Sequence, residues 1–383
     1  MKLWAFSDED LKSILRSRKE PCFLYRQETL QRSWQQLRQA FGPRVILAYA
    51  VKANPFPPLL AALAQWGASF DCASAGELQA VAPFALNRQC FFTGPAKSEE
   101  EIRLALSLGL RLHVESQEDL VQFARHAGAE VRCGLRIHPA SCAFDEKQLI
   151  GGDQASAFGI DEEQVPAFMA KWRSYAERID GLHVFTSSNQ LQAEKLLDHY
   201  AGVFALGEKF SRDYRLHLNW LDMGGGLGVP YRSEDKTLDL NTLANGLHGL
   251  LNDNAWFTGQ IVLEPGRWLS APCGVYANPV RCVKSSRDQR FVICAGGINH
   301  LMRPLLTGQA FPVRLLGQDG PTKDSYVLAG PLCTALDRLG VVQLPNTPRP
   351  GDWLIFGMCG AYGWSEAMPH FLSHAPAEQI WLR

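Results

Sequence analysis

Short apolar runs recur along the first two-thirds of the chain, each bounded by turn residues and followed by a helical pattern. They are Val45–Val51, Ser69–Ala73, Cys90–Thr93, Arg111–Glu115, Arg132–Ile137, Gly181–Phe185, Trp220–Met223 and Gln260–Glu264. Corresponding points of the first five lie about 20–25 residues apart, close to the minimum for a strand, a loop, a helix and a return. Several linking segments carry one apolar stripe at helical spacing. Pro58–Trp66 lines up Leu59, Leu60, Leu63 and Trp66, and Ser98–Leu108 lines up Ile102, Ala105 and Leu106 behind an acidic first turn that suits the helix dipole. Asp161-Glu-Glu-Gln164 reads as a capping box opening another helix. Eight βα units in one rhythm predict a closed (β/α)8 barrel of the TIM type rather than an open sheet.

Beyond about residue 266 the rhythm changes. Prolines and glycines break the chain into Val-, Ile- and aromatic-rich segments: Cys273–Val283, Arg290–Cys294, Ser325–Ala329 and Trp353–Phe356. These predict a C-terminal antiparallel β-domain, which the N-terminal run Cys22–Tyr25 is expected to join. The expected division is 26–267 for the barrel, with 1–25 and 268–383 for the β-domain. No flexible linker separates the two.

Charge and cysteine usage narrow the function classes. Lys and Arg (38) nearly cancel Asp and Glu (39), so the basic footprint of a nucleic-acid or anionic-membrane binder is missing. Apolar stretches such as Leu59–Ala64 fall far short of the ~20 residues that span a bilayer. The N-terminus turns acidic at Asp8-Glu9-Asp10 without a signal-peptide core. A cytoplasmic protein is therefore expected. The ten cysteines form no C-x-x-C pair, and no H-E-x-x-H accompanies them. Buried, reduced thiols are expected, and no metal.

In such a barrel the reactive groups come from the C-terminal ends of the strands. Those ends supply Lys52, Asp71 with Ser74, Thr93, Glu115, Arg136, His183 with Phe185, Gly224–Gly226, and Glu264 with Arg267. Lys52 directly follows an apolar strand, which favours an enclosed amine of lowered pKa, as an imine-forming nucleophile needs. Gly224-Gly225-Gly226 is not a dinucleotide fingerprint, and Pro230 stands where its helix should open. The three glycines still let backbone N–H groups converge on an anion, with Arg267 adding charge. An amine, an anion cradle and a buried carboxylate, Glu264, together suggest pyridoxal phosphate, whose aldehyde, phosphate and ring nitrogen each need one of them.

At these residues the chain resembles the fold-type III pyridoxal-phosphate decarboxylases, the family of the diaminopimelate and ornithine decarboxylases. Tyr49-Ala-Val-Lys-Ala-Asn-Pro55, Asp71-Cys-Ala-Ser-Ala-Gly-Glu77, Asp222-Met-Gly-Gly-Gly226, Glu264-Pro-Gly-Arg267, Gly330-Pro-Leu-Cys333 and Gly360-Ala-Tyr-Gly363 occur in the family's order. The resemblance implies a barrel and β-domain of the alanine racemase type, and a head-to-tail homodimer with shared active sites. It makes Lys52 the Schiff-base lysine, Glu264 the partner of the pyridine nitrogen, and Cys333 the acid that reaches in from the other subunit. Gly224, Gly225, Gly226, Arg267, Ser188 and Tyr362 would bind the phosphate. Asp71, Glu77 and Arg136 match the supporting shell, and Arg303 matches a substrate-contacting arginine of the diaminopimelate branch.

Two departures bear on the substrate. Phe185 stands where the family places an imidazole on the cofactor ring, so stacking survives but a protonic role does not. His183, two residues earlier, reads as structural. Thr334 follows Cys333 where the family usually has an acid for the far amine of a diamino acid, and a tyrosine expected near Leu306 and Thr307 is missing. Free lysine, ornithine and diaminopimelate thereby become poorer substrates, while Arg303 suits a far carboxylate. His370-Phe-Leu-Ser-His374 with Pro376-Ala-Glu378 resembles the siderophore, antibiotic and exopolysaccharide branches, which act on amino acids conjugated to citrate or a carrier. Two other readings stand beside decarboxylation. A racemase of this fold would place arginine, not Glu264, at the ring nitrogen, and a silent regulatory homologue would not need Lys52, Glu264 and Cys333 intact.

Overall fold

The structure, a computed structural model, describes residues 3–85, 89–141, 155–186, 188–318 and 320–383. Cys142, one of the ten cysteines, lies outside the described residues, as do Met1 and Lys2. The chain divides into two compact units: 34–228 with 237–266, and 1–33 with 229–236 and 267–383. The segment 229–236, inside the expected barrel range, groups with the second unit.

The first unit is the expected closed barrel. Its strands are Val45–Ala50, Ser69–Cys72, Phe91–Phe92, Arg111–Val114, Cys133–His138, Ile179–His183, Trp220–Asp222 and Gln260–Leu263. They pair in parallel in chain order, and the eighth returns to the first, with Ile261 beside Val45 and Leu263 beside Leu47. Nearly every side chain in them is shielded from solvent. This explains why they read as continuous apolar runs rather than as an alternating pattern. Inside, Ala48, Phe91, Trp220 and Val262 form one core cluster. The Trp220 indole fills the space left by two glycines: a Cβ on Gly181 would lie 2.0 Å from it and one on Gly134 2.2 Å. Its Nε1–H donates to Asp180 at 3.0 Å.

The two helix starts read from capping signals turn out differently. Ser98 caps the helix Glu99–Ser107, and Glu101 closes the capping box. At Asp161 the expected box does not form. The Asp161 carboxylate accepts from the Gln164 side chain at 2.8 Å, and the backbone makes a 3-10 turn, Glu162–Gln164, before the helix Val165–Lys171. Pro166 near the start of that helix lacks the N–H that a longer helical run would use.

The second unit is a mostly antiparallel sheet around the long strand Gly274–Ser286. Cys22–Arg26 pairs with its start, Leu24 opposite Val275, and Trp353–Phe356 with its middle, Ala277 opposite Ile355. The hairpin at Arg287-Asp288 leads to Gln289–Cys294. Two pairings depart from the purely antiparallel expectation: Cys22–Arg26 runs parallel to Glu378–Leu382, and Gln289–Cys294 parallel to Asp324–Ala329. Each joins segments separated by long stretches of chain, so no hairpin dictates their direction. Phe6, Leu11 and Leu15 pack with Leu24, Val275 and Ile355 in this unit's core.

Candidate active site

In the barrel, the predicted residues gather where the strands end. After Val45–Ala50 the chain makes one 3-10 turn, Val51–Ala53, held by the Tyr49 hydroxyl donating to the Asn54 carbonyl at 3.1 Å. Lys52 projects from this turn. Its Nζ lies 3.4 Å from Asp71 Oδ2 and 5.6 Å from the centroid of the Phe185 ring. The expectation of an enclosed amine needs correcting, because the Lys52 side chain is 35% exposed: the turn buries Val51 and Ala53 and leaves the lysine at the strand mouth.

Beneath the amine Asp71, Thr93, His113, Glu115 and Arg136 are deeply buried, and Glu77 is half-buried. Asp71 Oδ1 accepts from the Thr93 hydroxyl at 2.9 Å, and Thr93 Oγ1 is 2.7 Å from His113 Nδ1. Arg136 donates to Glu115 at 2.9 Å. Burial opposes ionisation of Glu115, but Arg136, Lys97 and the N–H groups of Gly94 and Gly159 outweigh it and hold its pKa below the usual value. Glu77 accepts from the Ala73 N–H at 2.7 Å, and burial pushes its pKa up to about 7.

Glu264 follows the eighth strand and is almost wholly buried. Burial, then the negative charge of Asp71, pushes its pKa up to about 8. Asp222 is raised well above the usual range by burial and by Glu264. His183, read from sequence as structural, sits with its Nε2 3.5 Å from Glu264 Oε1 and its ring 4.4 Å from that of His113. One donor atom from each of His113, His183, Asp222 and Glu264 lies within 4.8 Å of the others. Sequence reasoning passed over His113 and the carboxylate of Asp222. The one signal was a polar residue inside a strand with no solvent face.

The glycines form a close-set turn. Gly224 and Gly226 have φ of +67° and +101°, a region L side chains rarely adopt. A Cβ on Gly224 would meet the Phe185 ring at 2.8 Å and the Val184 carbonyl at 3.0 Å, and one on Gly225 would meet the Glu264 carbonyl at 3.0 Å. Phe185 thus packs over this turn, and Ser188 is exposed just beyond it. Glu264 Oε1 is buried without a hydrogen-bond partner among the described residues. A partly exposed amine, a buried carboxyl oxygen without a donor and a glycine turn whose Gly226 reaches the surface fit pyridoxal phosphate.

The second unit holds the remaining predicted residues. Arg267 is buried and donates to the Tyr231 hydroxyl at 2.8 Å. The Tyr362 ring lies between two cations, 4.6 Å from the guanidinium carbon of Arg267 and 4.6 Å from that of Arg303. Tyr362 itself adopts φ +58°, strain that other contacts must hold in place. Arg303 is paired with Glu366, a residue no motif had singled out. Cys333 is exposed, on a loop braced by the buried Asp337, which accepts from the N–H groups of Ile298 (2.8 Å) and Leu332 (2.7 Å). The Thr334 hydroxyl accepts from the Leu336 N–H of its own loop at 3.2 Å. Seven of the nine described cysteines are buried; Cys282 joins Cys333 as an exposed exception to the expected pattern.

Residues 27–271 match the pyridoxal-binding domain of the pyridoxal-dependent decarboxylases. The chain is 32% identical to the diaminopimelate decarboxylase of Deinococcus radiodurans, over 94% of this chain and 90% of that protein. It is 28% identical to the L-glutamyl-[BtrI acyl-carrier protein] decarboxylase of Niallia circulans, over 97% and 90%. The crystal structure of diaminopimelate decarboxylase from Helicobacter pylori complexed with L-lysine matches with a TM-score of 0.86 at 27% identity, covering 97% of this chain and 94% of that one. No helix among the described residues is long and apolar enough to cross a membrane.

Proposed function

The chain belongs to the pyridoxal-dependent decarboxylases, and on that premise we propose that it removes the α-carboxylate of an amino acid conjugated at its far end, in siderophore or other specialised biosynthesis. The observation that carries this reading is the charge inventory of the second unit. Thr334 offers no anion to a far ammonium, and Arg303 is already engaged by Glu366. A free diamino acid thus gets no acid from position 334, and its far carboxylate must compete with Glu366 for Arg303. A far end tied up in an amide or thioester needs neither. The similarity to a decarboxylase named for a carrier-linked glutamyl substrate supports the same reading.

Pyridoxal phosphate, when bound, supplies the electron sink for the pair released as carbon dioxide leaves. The chain's own groups do the rest. Lys52 offers the amine that holds the aldehyde, and Glu264 holds the proton on the ring nitrogen as an anionic partner. Gly225, Gly226 and Ser188 offer backbone and hydroxyl donors to the phosphate, and Gly224, whose N–H is held by Asp222, shapes the turn that presents them. The roles proposed for Arg267 and Tyr362 at the phosphate, and for Arg303 at the substrate, are those that the family resemblance implies. Cys333 or Lys52 returns a proton to the α-carbon. We assign Cys333 to the partner's site in a homodimer, a role for which an exposed thiol is available.

A second reading has one observation in its favour. Arg303 and Glu366 together complement a zwitterionic far end, such as that of diaminopimelate. Carbon dioxide release from free diamino acids, citrate-linked and carrier-linked amino acids separates the two, with conjugated substrates expected to lead. Thr334→Glu is expected to raise kcat/KM for free diamino acids about tenfold. Diaminopimelate turned over fastest by the unaltered enzyme would reject the conjugate reading.

A further inference from the structure

Asp222 and Glu264 are two carboxyls in one dry pocket, and two such neighbours cannot both ionise cheaply. One of them must keep a proton when the other becomes the anion that faces the ring nitrogen. We infer that His113 decides which: it is a positioning residue that holds the retained proton on Asp222 and leaves Glu264 to ionise. Only the identity of the group that Glu264 faces rests on the cofactor reading above.

The protons can be counted along a buried line of side chains. Asp71 lies against the Lys52 amine and accepts the single hydrogen of the Thr93 hydroxyl at 2.9 Å. Having given that hydrogen away, Thr93 can only accept from His113, 2.7 Å off, so the hydrogen of that bond sits on His113 Nδ1. A neutral imidazole has only one N–H. The other nitrogen, Nε2, is therefore a bare acceptor, and it faces Asp222 Oδ2 at 3.8 Å. Both atoms are buried and make no hydrogen bond as they stand, and Glu264, within hydrogen-bond reach of Asp222, is the competing acceptor for an Asp222 proton. A proton on Asp222 Oδ2 satisfies both after a closure of less than about 1 Å. The other oxygen, Oδ1, already accepts from the Gly224 N–H at 2.9 Å, so it has no need of the proton.

The surroundings keep the imidazole neutral. Burial, then Arg136, Lys97 and Arg111, push the His113 pKa well below its usual value. The rings of Phe91, His183 and Trp220 pack against it at 5.5, 4.4 and 5.2 Å.

Infrared spectroscopy of the cofactor-loaded full chain tests the location of the proton. Isotope-labelled aspartate should shift the carbonyl band of a protonated carboxyl. Asp222→Asn should remove that band, and Glu264→Gln should keep it. An amide at position 222 donates where the carboxyl proton does, so Asp222→Asn should bind cofactor within about threefold of the unaltered chain. His113→Asn keeps the Thr93 side but loses the Nε2 acceptor, and should weaken cofactor binding about tenfold. Nitrogen NMR of labelled histidine, assigned by the signal lost in His113→Asn, should show the Nδ1–H form. A labelled band that shifts with glutamate instead, a His113 carrying its proton on Nε2, or an aspartate band left unmoved by His113→Asn (the proton then being given to Glu264) overturns the inference. So does a stoichiometric bound metal ion, which would hold both carboxyls ionised. These readouts do not depend on turnover, so a failed substrate assignment leaves them intact.

Discussion

At the scale of single residues, the amine and the carboxyl divide the work and should fail differently. Lys52 is the only lysine placed at a barrel strand mouth beside both Asp71 and Phe185 among the described residues. Lys52→Ala should abolish the visible absorbance of bound cofactor while circular dichroism stays unchanged, because the side chain is partly exposed and its stem fills no core. Glu264→Gln preserves shape but removes the negative charge that keeps a ring nitrogen cationic. It should lower carbon dioxide release on the order of 10²–10³-fold, a loss comparable to removing one preorganised electrostatic group. Cofactor affinity should fall far less; equal activity in Glu264→Gln would remove the electron-sink argument. Lys52, Glu264 and the glycines were legible because a barrel reads its chemistry at strand ends. Glu366 and His113 were not, since a pairing with Arg303 and a hydrogen bond to Thr93 exist only after folding brings distant segments together.

At the scale of elements, the barrel strands were readable and the sheet of the second unit only partly. All eight barrel runs fall within two residues of the observed strands because strands buried on both faces leave an unbroken apolar trace. Arg338–Leu344 was missed because its burial alternates and Arg338, Gly340 and Gln343 interrupt the apolar pattern. Glu378–Leu382 was missed because its partner, Cys22–Arg26, lies at the other end of the chain. Glycines show how packing decides the sign of one chemical change. Gly202 lies inside the helix Ala193–Tyr214, and a Cβ there meets nothing within 4 Å. Gly202→Ala should therefore raise stability by roughly 0.5–1 kcal/mol through helix propensity. The same change at Gly181 drives a methyl into the Trp220 indole and should cost about 3 kcal/mol or more, as overpacking of a filled core does. Thermal unfolding of both variants checks the contrast, and a stable Gly181→Ala would mean that the barrel interior is looser than the Trp220 contacts imply.

At the scale of the whole molecule, the buried acids make stability depend on pH in a stated direction. Burial raises Glu264 from 4.5 to about 8 and Glu77 from 4.5 to about 7. An acid whose folded pKa lies above its unfolded value binds its proton more tightly in the folded state. Its contribution is complete below the unfolded pKa and is lost as pH rises through the folded one. These two acids therefore pull stability down between about pH 5 and pH 8. The buried neutral histidines His113, His183, His199 and His300, all with lowered pKa, pull it up as pH rises through about 6.5. The share of Glu264 is the difference between the unaltered chain and Glu264→Gln. Glu115 works the other way, since Arg136 and Lys97 hold its pKa low despite burial, and its contribution is already complete above pH 5. Glu264→Gln removes the acid that titrates at the top of this range and should flatten the slope above pH 7. A cation facing Glu264 should flatten it too, because the carboxyl then ionises with a partner in place. Denaturant titrations of the cofactor-free and loaded chain across this range read the difference. A Glu264→Gln variant with the same slope as the unaltered cofactor-free chain above pH 7 would mean that Glu264 is ionised in the fold, and that the buried floor of the barrel is wetter than its packing indicates.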